Sequence, residues 1–201
     1  MMNIAILASG RGSNFQAIVR AVKRKKLKGA KVKLLITDKE DAYVRIRAKR
    51  LGVKDIFVDP KKFKTRQDFD REIVKILNKE RIELVVLAGF MRILTPSFVR
   101  KFKNRVLNIH PALLPAFKGT DAIQRAYNYG VKVTGVTIHF VDEKVDHGPI
   151  VMQKALEIKE GESLEELEER IHRLEHKMYP EVISLFIKGK LKIRGRHVKI
   201  I

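Results

Sequence analysis

The sequence predicts an α/β fold of the Rossmann-like kind, with a mainly parallel twisted sheet and helices on both faces. Short unbroken apolar runs, such as residues 84–87, have the composition of buried parallel strands. Segments with apolar residues at helical spacing separate those runs, and this alternation is typical of α/β domains. Two late strand-like runs, residues 133–141 and 150–158, are joined by too few residues for a crossover helix. The last strands are therefore expected to be antiparallel.

The first half of the chain alternates strands and helices in a regular order. Strands are expected at residues 3–8, 32–36, 54–58 and 84–87. Helices are expected from Ser13 or Asn14 to about residue 24, over residues 42–51 before Gly52, and from about residue 67 to 78. These four strands form the Rossmann-like part of the predicted sheet.

The second half is less regular. A short helix is expected to open at Thr95-Pro96-Ser97, a strand to end near Leu107, and a helix to lie between Gly119 and Gly130. The pattern Ser163-x-x-Glu166 is a capping box and predicts the start of a long helix. Pro180 is expected to kink or divide that helix, which Gly189 closes. The alternating tail, from residue 191 to 200, predicts a terminal hairpin.

Length and composition predict a globular enzyme or binding protein. The 201 residues suit a single domain, residues 1–201, with an N-terminal half of about 1–103 and a C-terminal half of about 104–201. No apolar run approaches the ~20 residues of a membrane span, and no signal peptide is evident, so a cytoplasmic protein is expected. The absence of cysteine excludes disulfides, thiolate zinc sites and cysteine nucleophiles.

The formal net charge of +20 allows nucleic acid, membrane or phosphorylated metabolites as partners. Lysine and arginine are spread along the chain, often beside acidic residues. No zinc-finger spacing and no aromatic strand motif of RNA-binding domains is present. We therefore expect small molecules rather than nucleic acid as partners. The high content of Lys and Glu without Cys also resembles the composition of heat-adapted proteins.

The loop Ser9-Gly10-Arg11-Gly12-Ser13-Asn14 lies between a predicted strand and a predicted helix. Backbone N–H groups at such a helix start, together with the helix dipole, bind anions. A dinucleotide site is the alternative, because Asp38 follows the next strand where a ribose-binding acid would lie. Phe15, however, replaces the third glycine of that motif. A single phosphate on the N–H groups of Gly12, Ser13 and Asn14 is the favoured hypothesis.

Two further stretches combine polar groups with rigid turns. In Asn108-Ile-His110-Pro-Ala-Leu-Leu-Pro115, the amide and the imidazole are two residues apart and project to one face of an extended backbone. An ordinary strand end with a surface histidine would give the same pattern. The second stretch, residues 137–149, is a strand followed by an acidic loop that Gly148 and Pro149 close.

The motifs Asn-x-His-Pro-x-Leu-Leu-Pro and Val-Asp-x-x-x-Asp-x-Gly-Pro together resemble the folate-dependent formyltransferase superfamily. With the loop at residues 9–14, the resemblance narrows to members that formylate phosphoribosylglycinamide in purine synthesis, and it extends from Asn3 to about Lys192. It implies the formyltransferase fold and a one-carbon transfer with 10-formyltetrahydrofolate as co-substrate. We expect no metal, no nucleic-acid or membrane partner, and a monomer or homodimer.

The same resemblance implies the roles of individual residues. Asn108, His110 and Asp146 would be catalytic, and Gly12, Ser13, Asn14 and Glu175 would bind phosphoribosylglycinamide. The folate would contact Arg66, Met91, Arg92, Ile93, Leu94, Asn108, Asp142, Glu143 and Asp146. Without the resemblance, Met91, Ile93 and Leu94 would be assigned to core packing, and Arg66 and Glu175 to the solvated surface.

Formyl transfer explains why these residue types are needed. The tetrahedral intermediate carries an oxyanion, which an amide N–H of Asn108 and a protonated His110 could stabilise. Asp146 is expected to raise the pKa of His110 and to accept or relay the amine proton. His139, on the strand before Asp146, could support this site or could be purely structural.

Related activities remain as alternatives. A formyltetrahydrofolate hydrolase would use the same Asn, His and Asp with water as acceptor, but such proteins carry an extra N-terminal domain and lack the Gly-rich loop. Methionyl-tRNA formyltransferases add a C-terminal RNA-binding domain, for which 201 residues leave no room. A nucleotide- or RNA-binding module is the remote alternative. The segment Lys118-Gly119-Thr120-Asp121 departs from the more histidine-rich loop of several relatives.

Overall fold

Two units make up the structure, Met1–Leu107 and Asn108–Ile201. The computed structural model describes all 201 residues. The boundary lies within a strand, four residues from the boundary between the predicted halves. That the chain acts as a single domain stays a prediction.

The first unit contains four strands, all parallel to their neighbours in the order β3-β2-β1-β4. They are β1 (Met2–Leu7), β2 (Ala30–Thr37), β3 (Lys54–Phe57) and β4 (Leu84–Leu87). The side chains of β4 are all buried, as expected for a strand covered on both faces. The predicted Rossmann-like alternation is confirmed.

Helices follow each of these strands. They are α1 (Ser13–Lys23), α2 (Tyr43–Arg50), a 3₁₀ helix (Pro60–Lys62), α3 (Arg66–Lys79) and α4 (Pro96–Lys101). Apolar residues at helical spacing bury one face of each long helix; Phe15 and Ile18 of α1 have no exposed surface. Thr65 and Thr95 cap α3 and α4 by accepting a backbone N–H three residues later.

The second unit contains five strands in the order β5-β6-β7-β9-β8. β6 and β7 are antiparallel, as are β8 and β9, whereas β7 and β9 pair in parallel. The elements are β5 (Val106–His110), α5 (Ala122–Tyr129), β6 (Val133–Phe140), β7 (Ile150–Glu157), α6 (Leu164–Ile187), β8 (Leu191–Arg194) and β9 (His197–Ile200). The predicted fold class, including antiparallel last strands and the terminal hairpin, is confirmed.

Helix α6 tests two expectations, the capping box and the division of the helix at Pro180. The capping box is present, since Ser163 accepts the Glu166 N–H while the Glu166 side chain accepts the Ser163 N–H. Pro180, however, does not divide the helix, which runs through 24 residues. Tyr179 and Val182 on either side of the proline are fully buried. Their packing offsets the ~3 kcal/mol that an interior proline costs.

Strand β5 also differs from the expected bounds. The strand does not end near Leu107 but continues through His110. Pro111 lacks an N–H and lies just beyond, so the missing donor falls outside the strand. Asn108 and His110 are therefore held by the strand itself, which fixes their side chains more firmly than a turn would.

None of the helices combines the length and the apolar character that a bilayer span requires.

Candidate active site

Strand β5 presents two polar side chains on one face in the second unit. Asn108 is half-buried, and the His110 side chain is 4% exposed. Asp146, from the loop between β6 and β7, lies beside both of them with its side chain 10% exposed. The predicted convergence of these three residues is therefore present.

Asp146 contacts both Asn108 and His110. Its Oδ1 accepts a hydrogen bond from Asn108 Nδ2 at 3.3 Å, and its Oδ2 lies 3.3 Å from His110 Nδ1. The backbone N–H of Gly119 also donates to Oδ2, at 2.8 Å. Both carboxylate oxygens thus have donor partners, which favours the ionised carboxylate.

The loop that carries Asp146 is tightly turned. Asp146 has a left-handed backbone conformation, with φ of 45°. Gly148 follows, and a Cβ at that position would lie 1.8 Å from the carbonyl oxygen of Phe140. A glycine is therefore required where the chain returns towards β7, and this close approach holds Asp146 near the end of β6.

His139 is part of the cluster. The sequence alone did not decide whether this residue supports the site or is purely structural. Its Nδ1 lies 2.8 Å from the carbonyl oxygen of Phe140, so Nδ1 carries the proton in the neutral ring. Its Nε2 lies 3.2 Å from Asn108 Nδ2 and 3.7 Å from Asp146 Oδ1. The alternating pattern of the strand, which places His139 at the end of β6, is the feature of the sequence from which this position could be predicted.

The amide orientation of Asn108 follows from these contacts. Its two N–H groups face His139 and Asp146, whereas the opposite orientation would place its carbonyl oxygen against the Asp146 carboxylate. The donors that were expected to face an oxyanion are thus engaged with protein groups in this structure.

His110 is also engaged on both sides. Its Nε2 lies 3.0 Å from the carbonyl oxygen of Phe117, while Nδ1 faces Asp146. Phe117 and Gly119 contact the cluster through backbone atoms only. The sequence carried no signal for this role, because any residue type can supply a carbonyl or an N–H.

Opposing effects act on the pKa of His110. Burial lowers the pKa of His110 below its ordinary value, because the imidazolium loses its hydration. The Asp146 carboxylate and the Phe117 carbonyl raise the pKa without compensating for burial. The net direction favours a neutral ring at neutral pH, and the cation that Asp146 holds during the reaction stays a prediction.

Asp146 shows the opposite balance. Burial raises the pKa of its carboxyl, but contacts with His139, the Gly119 N–H and His110 outweigh burial. The net pKa is below the ordinary value, so Asp146 is ionised at neutral pH. The cluster thus pairs a carboxylate with a neutral imidazole that can take up a proton.

The turn after His110 is fixed from beneath by Thr137 of β6. The buried Thr137 hydroxyl donates to the Ala112 carbonyl at 2.7 Å and accepts the Leu114 N–H at 3.1 Å. Gln153 Nε2 also donates to the Leu114 carbonyl, at 2.9 Å. Neighbouring strands therefore hold the residues that follow His110 in place.

A separate polar feature lies in the first unit, at the N-terminus of α1. Gly12 is the N-cap in a left-handed conformation, with φ of 73°, and a Cβ there would lie 2.3 Å from Val44 Cγ2. No side chain caps this helix, and no acidic residue lies in its first turn. The positive end of the helix dipole at Gly12 and Ser13 therefore has no acidic side chain beside it in the first turn and favours an anion.

The dinucleotide alternative depends on Asp38 as an acid that binds a ribose, but Asp38 has a partner within the protein. Asp38 Oδ1 accepts the Ser9 hydroxyl hydrogen at 2.5 Å, so Asp38 secures the base of the loop. Phe15 packs in the core with no exposed surface. Both features favour a site for a single phosphate.

The residues expected to bind folate in the first unit are partly exposed. Met91 is 60% exposed and Ile93 is 52% exposed, which excludes simple core packing, whereas Leu94 is buried. The Arg92 guanidinium lies 4.8 Å from the centre of the Phe69 ring. Arg66 is exposed at the start of α3.

The remaining expected residues lie in the second unit. Glu175 on α6 is 3% exposed and lies 2.9 Å from His172 Nδ1, so it is not a solvated surface residue. Its charge also contributes to raising the pKa of His110. Asp142 accepts the Lys144 N–H at 3.0 Å and lies 2.6 Å from His147 Nδ1, whereas Glu143 is exposed.

Comparisons with known proteins identify the family to which the chain belongs. A family model described as formyl transferase matches residues 2–183. A phosphoribosylglycinamide formyltransferase of Bacillus subtilis is 44% identical over 184 residues, covering 92% of this chain and 94% of that protein. The protein of that name from Escherichia coli is 40% identical over 192 residues, covering 96% and 90%. A crystal structure of glycinamide ribonucleotide transformylase 1 from Symbiobacterium toebii has a TM-score of 0.97 at 43% identity and covers 100% and 94%.

Proposed function

The chain belongs to the phosphoribosylglycinamide formyltransferases of the formyl transferase family, and on that premise we propose that it formylates the amine of phosphoribosylglycinamide. The donor is 10-formyltetrahydrofolate, a co-substrate, and the reaction is a step of purine synthesis. The observation that carries the proposal is the convergence of Asn108, His110 and Asp146 within hydrogen-bond distance of one another.

The cluster has the groups that transfer of a formyl group to an amine requires. The amine nitrogen attacks the formyl carbon, a C–N bond forms, and the formyl oxygen becomes an oxyanion. Neutral His110, paired with the Asp146 carboxylate, takes up the amine proton directly or through one water. The resulting imidazolium then faces the oxyanion, and Asp146 compensates its charge.

Collapse of the intermediate completes the proton balance. The bond from the formyl carbon to N10 of the folate breaks, and N10 receives the proton from His110. One proton leaves the amine and one reaches N10, so the enzyme ends in its starting state. The lowered pKa of His110 is consistent with this role, since a base must be neutral before the reaction and a strong acid after it.

Access to His110 requires a change in the segment around Phe117. In this structure the Phe117 carbonyl oxygen is the partner of His110 Nε2, and the Gly119 N–H donates to Asp146 Oδ2. We propose that substrate binding displaces these backbone groups. The reacting amine then replaces the Phe117 carbonyl as the partner of His110 Nε2 and donates its N–H to the neutral ring.

The substrate contacts follow the same proposal. The phosphate binds the N–H groups of Gly12, Ser13 and Asn14, and Glu175 binds the ribose. Two observations support these assignments: the uncapped N-terminus of α1 and the burial of Glu175. Folate contacts are assigned to Arg66, Met91, Arg92, Ile93, Leu94, Asn108, Asp142, Glu143 and Asp146.

The partners are proposed to be these small molecules alone. The chain is expected to act in the cytoplasm as a monomer or homodimer. Light scattering coupled to size exclusion separates the two oligomeric states.

A substrate panel tests the function. The purified protein is incubated with 10-formyltetrahydrofolate, and release of tetrahydrofolate is followed with and without phosphoribosylglycinamide. We expect release to depend on the acceptor and to match formylated product one to one. Equal release without the acceptor would identify a hydrolase, and no turnover of folate under any condition would indicate a binding protein.

A further inference from the structure

The terminal hairpin, β8 and β9, has no part in the reaction described above. It lies beyond residues 2–183, the part that the family model matches. Its second strand pairs with β7 at Ile150 and His197, next to the end of the acidic loop. The turn of the hairpin carries Arg196, whose side chain reaches that loop.

Arg196 contacts His147 at two points. Its Nη2 donates to the carbonyl oxygen of His147 at 2.7 Å. Its Nη1 lies 3.1 Å from His147 Nε2 and 3.2 Å from Nδ1. One guanidinium therefore contacts both the backbone and the ring of a single residue, an arrangement that suits its planar fork of donors.

His147 passes this contact on to Asp142. Its Nδ1 lies 2.6 Å from Asp142 Oδ2, so a neutral ring donates there and accepts from Arg196 at Nε2. Guanidinium, imidazole and carboxylate form a continuous chain of hydrogen bonds. Asp142 Oδ1 also accepts the Lys144 N–H, which closes the first turn of the loop.

These contacts hold a loop that bears a central residue of the site. Asp146 immediately precedes His147 and has a left-handed backbone conformation. Asn108, His110 and Gly119 contact Asp146 itself, whereas Arg196 contacts the neighbouring residue His147. Movement at His147 would therefore shift the Asp146 carboxylate directly along the chain.

We propose that Arg196 is a positioning residue for formyl transfer: through His147 it holds residues 142–148 in the conformation that directs Asp142 and Asp146 to the site. The inference rests on the proposed function. It assigns to the hairpin an effect on folate binding and on turnover. It assigns no effect on binding of the phosphate-bearing substrate.

Steady-state kinetics of Arg196→Ala, Arg196→Lys and Arg194→Ala tests the proposal. Arg194 is an exposed arginine of the same hairpin and serves as the matched control. Arg196→Ala is expected to raise the KM for 10-formyltetrahydrofolate and to lower kcat, each roughly three- to tenfold, as for loss of charged hydrogen bonds at the surface. The KM for phosphoribosylglycinamide should stay unchanged. Lysine supplies one donor centre instead of a fork, so Arg196→Lys should restore only part of the loss.

A second measurement reports on the loop without requiring turnover. Hydrogen exchange of residues 142–148 should be faster in Arg196→Ala than in wild type and unchanged in Arg194→Ala. The double variant with His147→Ala should be little worse than Arg196→Ala alone, because both remove the same contact.

The outcomes separate the two levels of the proposal. A wild-type protein without acceptor-dependent transfer would overturn the proposed function together with this inference. An active wild type with unchanged KM, kcat and loop exchange in Arg196→Ala would overturn the inference alone. A lowered Tm with unchanged kinetics, or equal losses in Arg194→Ala, would assign Arg196 a purely structural role and would also overturn it.

Discussion

Asp146 and His110 illustrate what single residues contribute to the site. A carboxylate 3.3 Å from an imidazole would be expected to keep it protonated, yet burial has the larger effect on His110. Which effect prevails depends on how many groups cover the ring, and the sequence does not contain that information. The neutral ring changes the proposed role of His110 from a fixed cation to a group that accepts the amine proton and then carries it.

Ser13 offers a test of phosphate binding at the residue scale. Ser13→Asp places a carboxylate at the N-terminus of α1, where it favours the helix dipole but repels a phosphate. We expect the KM for phosphoribosylglycinamide to rise roughly tenfold, the KM for folate to stay constant and Tm not to fall. Ser13→Ala, which keeps the backbone N–H and adds no charge, is the control. Equal increases in both KM values would contradict a phosphate site.

Gly12 itself is a poor target for this test. A Cβ there would lie 2.3 Å from Val44 Cγ2, so any side chain would displace α2. Loss of activity in such a variant would not distinguish phosphate binding from folding.

At the scale of elements, the sequence predicted most strands and helices to within two residues because their apolar patterns are regular. The predicted bounds of β4, residues 84–87, are the observed ones. Two exceptions have physical reasons: β5 extends to His110 because Pro111 lies just outside it, and α6 continues through Pro180 because buried neighbours hold it. In both cases the effect of a proline depended on packing that the sequence pattern does not reveal.

The site was partly predictable for the same reason. Asn108 and His110 share a face by strand geometry alone, so the sequence sufficed for that pair. The resemblance supplied Asp146, whose approach depends on the left-handed turn before Gly148. Backbone groups of Phe117 and Gly119 could not be predicted, because their role does not depend on side-chain type.

The capping box of α6 gives a stability prediction at the element scale. Ser163→Ala leaves the Glu166 N–H without its acceptor and should destabilise the protein by about 1 kcal/mol. Urea denaturation measures the change. Ser184→Ala, inside the same helix, should cost nothing, since alanine is the better helix former. A loss in the Ser184 variant as large as in the Ser163 variant would contradict a capping effect.

At the scale of the whole molecule, the buried ionisable groups predict how stability depends on pH. Burial raises the pKa of Glu162, but hydrogen bonds from Arg170 and the Lys159 N–H outweigh it, and the net shift is downwards as for Asp146. A carboxyl whose folded pKa is lowered stabilises above its unfolded pKa, and this stabilisation is lost as the pH falls through the folded pKa. His110 acts in the same direction, because the unfolded chain takes up a proton below about pH 6.5 before the folded one does.

We therefore expect Tm to decrease from about pH 6.5 downwards, first through His110 and then through the carboxylates. The formal charge of +20 adds to the acid loss, since protonated carboxylates no longer offset the excess of Lys and Arg. Scanning calorimetry from pH 8 to pH 3 measures the profile. His110→Asn should flatten the first part of the decrease and leave the second; an unchanged first part would contradict the neutral, buried state of His110.

The most direct test of the account is a double-mutant cycle of kcat for His110→Ala and Asp146→Asn, with folding of each variant verified. Because the two residues are proposed to handle one proton as a unit, each single variant should lose on the order of 10²–10³ in kcat. The kcat of the double variant should be only a little lower than that of the less active single variant. Near-wild-type turnover in Asp146→Asn, or losses that multiply fully in the double variant, would contradict formyl transfer by a coupled His110–Asp146 pair.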